Sequence, residues 1–160
     1  MQKIHVLFVC LGNICRSPTA HGVFQQLVDD SGLTDYFDID SAGTSGWHIG
    51  KKPDSRTMVA AKKRGYDLSA LRGRQVDVDD FEKYDYILAM DESNLKDLQV
   101  LQPSHYSGVL TLFLNYFPES SYNEVPDPYY GGDKGFDTVL DLVEAASQGL
   151  LTTIRNEKNL

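Results

Sequence analysis

The 160-residue chain has only two cysteines and no surplus of positive charge. Two cysteines at positions 10 and 15 cannot staple a secreted framework, so they point to site chemistry and to a reducing compartment, the cytoplasm. Fifteen Lys and Arg against 23 Asp and Glu leave a net charge of −8. Such a chain offers no general attraction to a nucleic-acid backbone, although a local positive pocket stays open. No stretch approaches 18 uncharged apolar residues, so no membrane span is expected. The N-terminus lacks the small-residue cleavage site of a signal peptide. Repeats, linkers and low-complexity segments are also lacking, and 41% hydrophobic and 24% charged residues suit one globular domain over residues 1–160.

What is present begins with Ile4 to Val9, a nearly continuous apolar run broken only by His5. It reads as a buried parallel strand. A short loop follows, and Ser17-Pro18 predicts a helix start with Ser17 as N-cap and Pro18 at the first helical position. Apolar residues at Ala20, Val23, Phe24, Leu27 and Val28 carry that helix to Ser31-Gly32. Tyr36 to Ser41 predicts a second strand, Asp54 to Arg64 a second helix closed by Gly65, and 67–80 a long polar connection with short helical turns. Tyr84 to Met90 predicts a third strand, and Asp91-Glu92 opens a helix to about Leu98. Val109 to Phe113 predicts a fourth strand, with a helix end as the alternative. Phe136 to Leu151 carries an amphipathic helix pattern. Strands alternating with helices imply an α/β domain, a central four-stranded parallel sheet flanked by helices, with the ligand beyond the carboxyl ends of the strands. Cys10 and Asp91 both fall at that end.

The spacing of Cys10 and Arg16 carries the chemistry. Five intervening residues can curl around one tetrahedral oxyanion with several N–H groups pointing inward, and Arg16 offers a two-pronged donor. The same groups stabilise a thiolate over a thiol. Gly12 permits the curl, Asn13 can take the left-handed conformation, and Ser17 is near enough to donate its hydroxyl to Cys10. Neither a Walker lysine nor a dinucleotide fingerprint is present. A C-x₄-C pair could also be redox-active or metal-binding, but no second ligand pair lies at useful spacing, and a purely structural Cys10 leaves Arg16 unexplained.

The segment Cys10-Leu11-Gly12-Asn13-Ile14-Cys15-Arg16-Ser17-Pro18 resembles the nucleophile loop of the low-molecular-weight protein tyrosine phosphatases. The resemblance extends through Asp40-Ser41-Ala42-Gly43-Thr44, Arg74-Gln75, 85–91 and Val125-Pro126-Asp127-Pro128-Tyr129-Tyr130. It implies a cysteine-dependent hydrolase that needs no metal or other cofactor and passes through a cysteinyl-phosphate. The substrate would be a phosphotyrosine-containing protein, with inorganic phosphate as product and competitive inhibitor, and the chain monomeric or weakly self-associating. Residue by residue, Cys10 resembles the nucleophile, Arg16 the phosphate clamp and Asp127 the general acid. Asn13, Ser17 and Ser41 resemble the residues that hold the loop, together with Leu11, Gly12 and Ile14. Tyr129, Tyr130 and Trp47 resemble the aromatic cleft walls, and Cys15 resembles a second thiol able to protect the first. Asp91 is expected as a helix cap or arginine partner. Two features depart from or refine the pattern. Leu71 stands where the family often has a histidine supporting the asparagine, and His48 and His105 lie too far along the chain to be assigned that task. Ile14 replaces the threonine of the related arginine phosphatases, which favours phosphotyrosine. An arsenate reductase would need a cysteine relay and no third cysteine exists; a non-hydrolysing phosphotyrosine binder would need neither Cys10 nor Asp127.

Overall fold

A computed structural model describes residues 2–129 and 131–160. In chain order the elements are β1 (Ile4–Cys10), α1 (Arg16–Asp30), β2 (Phe37–Gly43), α2 (Ser55–Lys63), α3 (Asp80–Lys83), β3 (Tyr86–Ala89), α4 (Glu92–Leu101), β4 (Val109–Leu112) and α5 (Asp133–Lys158). The four strands form one parallel sheet in the order β2-β1-β3-β4.

The apolar run of β1 is explained by cover on both faces. Val6 and Phe8 pack with Phe24 of α1 and Val143 of α5, while Leu7 and Val9 pack with Phe81 of α3 and Leu98 of α4. α5 buries Val139, Leu140, Leu142, Val143, Leu150, Leu151 and Ile154, each contributing about 1.5–3 kcal/mol before entropy. Among the described residues no helix is long and apolar enough to cross a membrane.

The strand order reverses at β1, because the chain leaves β1 for β2 on one side and returns to β3 on the other. That reversal opens a crevice at the carboxyl ends of β1 and β3. Cys10 ends β1, and Met90-Asp91 follow β3 into α4.

Several boundaries differ from the sequence reading. α1 begins at Arg16, with Cys15 as N-cap, so Ser17 is not the cap and Pro18 is the third helical residue. Ser17 is not free to cap because its hydroxyl is engaged by Cys10 and Asn13. Pro18 costs no helical bond there, since the first four N–H groups of a helix have no intrahelical acceptor. β2 starts at Phe37 because Tyr36 closes a 3₁₀ turn. The fourth strand is present, but Phe113 belongs to a following 3₁₀ turn. α4 runs on to Leu101. α5 runs well past Leu151: Ile154 is still buried, Arg155 and Lys158 suit the negative helix end, and Asn159 closes it in the left-handed conformation with φ 56°. Gly65, with φ 91°, follows α2 as the sequence suggests.

Candidate active site

The loop from Cys10 to Arg16 is shaped by where its carbonyls go. Thr44 N–H donates to Cys10 O at 2.9 Å, Ser45 N–H to Leu11 O at 2.9 Å, and Asp54 N–H to Ile14 O at 2.8 Å. Thr19 donates to Cys15 O through both its N–H (3.2 Å) and its hydroxyl (2.7 Å). The first three carbonyls are tied to neighbouring segments, and that of Cys15 to the first turn of α1. Across a planar trans peptide the next N–H points the opposite way, so the N–H groups of Leu11, Gly12, Cys15 and Arg16 turn to the inside of the loop. The inner surface is therefore a ring of partial positive charge at a helix N-terminus. Gly43 allows the close approach of β2, since a Cβ there would lie 2.7 Å from Leu11 O.

Cys10 sits inside this ring, buried at the end of β1. Its Sγ lies 3.1 Å from Ser17 Oγ and 3.3 Å from the donating Asn13 N–H. Asn13 Nδ2 donates to the same Ser17 Oγ at 2.8 Å. With that oxygen accepting from Asn13, its one proton is directed to Sγ, because the alternative acceptor, Ala42 O, is at 3.4 Å. Asn13 takes φ 58°, in the left-handed region that asparagine tolerates. Its Oδ1 accepts from Arg74 N–H at 3.0 Å. Asn13 is thus held from the 69–75 segment by a main-chain donor, a bond in which Leu71 has no part.

Arg16 is buried and held by one arm. Its Nη1 donates to Asp91 Oδ2 at 2.7 Å and to Val125 O at 3.1 Å. The Nε–Nη2 edge has no hydrogen-bond acceptor among the described residues and is available as a fork for two oxygens of one ligand. Burial works against the cation, but Cys10, Asp91 and Asp127 outweigh it and raise its pKa, so Arg16 stays charged. Asp91 also N-caps α4, in a reciprocal capping box with Asn94. The cap-or-arginine-partner alternatives are both realised in one carboxylate.

A pocket of about 160 Å³ opens over the loop. Trp47, His48, Asp127 and Tyr129 wall it, and Leu11, Gly12 and Ile14 are among the loop residues beneath. Asp127 Oδ2 lies 3.8 Å from Arg16 Nη2. Asp127 Oδ1 accepts from Tyr129 N–H at 2.9 Å, a tight turn that aims the carboxylate. Trp47 is 73% exposed, so its ring stands free at the rim. Tyr130, expected as part of the wall, lies outside the described residues.

Two expected loop residues sit differently from the others. Ser41 is buried, and its hydroxyl pairs with His21 Nδ1 at 3.1 Å, facing α1. Burial holds His21 below its ordinary pKa despite Asp40 and Asp38, so the pair is neutral. Cys15 is a free, buried thiol. Burial pushes its pKa up to about 12, with the Thr57 hydroxyl pulling the other way and Asp54 adding to the rise. Arg74, His48, Asp54 and His21 were missed as contributors. Arg74 and Asp54 reach the loop through backbone N–H groups, which carry no residue-type signal. His48 packs against Gly12, where a Cβ would lie 3.0 Å from its Cδ2.

Comparison with known proteins agrees with this geometry. The family model "Low molecular weight phosphotyrosine protein phosphatase" matches residues 5–160. A protein of that name from Schizosaccharomyces pombe is 45% identical over 155 residues, 96% of this chain and 98% of its own. The crystal structure of a protein tyrosine phosphatase from Entamoeba histolytica superposes with a TM-score of 0.93 at 39% identity, covering 98% of this chain and 99% of that one. A Drosophila arginine phosphatase structure also matches, with a TM-score of 0.88 at 31% identity over 94% of this chain and 97% of its own. With a family model spanning almost every residue and relatives matched along nearly their whole length, the chain belongs to the low-molecular-weight phosphotyrosine protein phosphatases.

Proposed function

We propose that this phosphatase hydrolyses phosphotyrosine in proteins through a phosphorylated Cys10, with Asp127 as general acid and then general base. The observation that carries the reading is the convergence on one pocket of Cys10 Sγ, the inward N–H ring, the open edge of Arg16 and the Asp127 carboxylate. Cys10 thiolate attacks phosphorus in line, forming the S–P bond as the P–O bond to the phenol breaks. The loop amides and Arg16 take the charge on the equatorial oxygens. Protonated Asp127 gives its proton to the departing phenolate oxygen. As carboxylate it then accepts a proton from water, which attacks phosphorus and releases inorganic phosphate and the thiolate. Ser17 donates to the thiolate at both ends of the cycle. No step draws on a metal, and the free thiols suit a reducing cytoplasm.

Substrate choice follows from the walls. Ile14, Trp47 and Tyr129 offer apolar and aromatic surface to a phenyl ring. The likeness to an arginine phosphatase makes phosphoarginine the rival to exclude, since one fold hosts several substrates. The test is hydrolysis of matched phosphotyrosine, phosphoserine and phosphoarginine peptides in EDTA, by wild type and Cys10→Ser. Selective phosphotyrosine turnover, absent from C10S, is expected, with vanadate still bound by the variant. Turnover in a clean C10S preparation, or preference for phosphoarginine, would overturn the reading.

A further inference from the structure

We infer that Arg56 is a positioning residue for Asp127, clamping the segment that carries the acid to the segment that carries the nucleophile. The inference rests on the reading of Asp127 as general acid. Arg56 lies in the first turn of α2, outside the cleft, and its side chain makes contacts in two directions.

Toward the nucleophile, Arg56 Nε and Nη2 donate to Asp54 Oδ1 and Oδ2 at 3.2 and 3.1 Å, a two-pronged pair. Asp54 is itself fixed. Its carboxylate N-caps α2, and its N–H donates to Ile14 O of the Cys10 loop at 2.8 Å. Toward the acid, Arg56 Nη2 donates to Tyr129 O at 3.1 Å. Tyr129 N–H in turn donates to Asp127 Oδ1. The guanidinium also lies 5.3 Å from the centroid of the Tyr129 ring and 5.0 Å from that of Phe136 at the start of α5.

An unbroken path therefore runs from Ile14 through Asp54, Arg56 and Tyr129 to the Asp127 carboxylate. The described residues of 118–132 contain no helix or strand, and upstream of Asp127 the segment is anchored at Val125, by Met90 O and Arg16. Downstream, Arg56 supplies a tie to the nucleophile side. Proton transfer requires the carboxyl within hydrogen-bond reach of the leaving oxygen, and displacement of such a group by about 1 Å can cost on the order of 10²-fold. A cleft-wall tyrosine and the acid are both held through this clamp.

The readout is dependence on the leaving group, because a misplaced acid harms poor leaving groups and spares good ones. kcat/KM, which covers the steps through phosphoenzyme formation, is measured on phenyl phosphate and on 2,4-dinitrophenyl phosphate. The proteins are wild type, Arg56→Ala, Arg56→Lys, Asp127→Asn and the D127N/R56A double variant. Vanadate inhibition reports that the Cys10 loop is intact. R56A is expected to lose roughly 10- to 100-fold on phenyl phosphate and much less on the dinitrophenyl ester. R56K is expected in between, since an ammonium keeps the ring contact but not the fork. In the D127N background R56A should add no selective loss. Equal losses on both esters, or none, would overturn the inference while D127N still shows its own selective loss. If D127N shows no selectivity, the acid assignment fails and the clamp falls with it, so the two failures are distinct.

Discussion

Replacing Asn13 by alanine tests the loop architecture most directly, because one side chain there does three things. Its Oδ1 accepts the Arg74 N–H, and without it that donor loses its protein partner, at about 1–3 kcal/mol. Its Nδ2 donates to Ser17 Oγ, and losing that bond costs about 1 kcal/mol more. Alanine at φ 58° adds about 1–2 kcal/mol of backbone strain that asparagine partly avoids. Because these effects are coupled, a total of about 3–5 kcal/mol is expected. For a chain of this length each kcal/mol moves Tm by about 2–4 °C, so Asn13→Ala should melt roughly 6–20 °C below wild type. Asn13→Gly loses both bonds but not the conformational fit, so it should melt above the alanine variant. Calorimetry on the three proteins decides it. An alanine variant within about 2 °C of wild type, or a glycine variant melting below it, would refute this account of the loop.

Further outcomes follow from the same geometry at three positions. Cys15, with its pKa raised from 9.0 to about 12, stays a neutral thiol at pH 7.5, so iodoacetamide should modify Cys10 and leave Cys15 unlabelled by peptide mass analysis. The raised value also means that the folded state holds the Cys15 proton more tightly than the unfolded one. That stability is present below pH 9 and lost as pH rises toward 12, by roughly 1 kcal/mol between pH 9 and 10; Cys15→Ala should flatten that slope in urea titrations. Asp91→Ala removes the α4 cap and the partner of buried Arg16, so it should lower stability by about 3 kcal/mol or more and weaken vanadate inhibition. Asp91→Asn keeps the cap acceptor and should melt higher than D91A. Gly149→Ala ordinarily gains about 1 kcal/mol in a helix interior, but a Cβ here would collide with the Tyr116 carbonyl oxygen, so the variant should be less stable by about 1–3 kcal/mol in urea titrations.

The elements that sequence predicted best are those whose pattern is local. β1 announces itself because a strand covered on both faces is apolar throughout, and α5 because its buried positions recur at helical spacing. The same locality fails at ends. Ser17-Pro18 is a good helix start by residue type, yet the tertiary site claims the serine hydroxyl and moves the start to Arg16.

For the site, the sequence by itself offered a thiol and a guanidinium with the loop length to curl around an oxyanion, and the family resemblance added the Asp127 carboxylate. Cys10, Asn13, Arg16 and Ser17 lie within eight residues of chain, so their meeting is a matter of local spacing. Only the tertiary structure decided what holds them. Arg74 reaches Asn13 across 61 positions, Asp91 reaches Arg16 across 75, and Arg56 reaches the Tyr129 carbonyl across 73. Four of the ties to the Cys10 loop, from Thr44, Ser45, Asp54 and Arg74, are made by main-chain N–H groups, which every non-proline residue possesses and no sequence pattern marks. The crossing of the chain from β2 over β1 to β3 brings those groups to one crevice, and that crossing is a property of the packed sheet rather than of any segment in it.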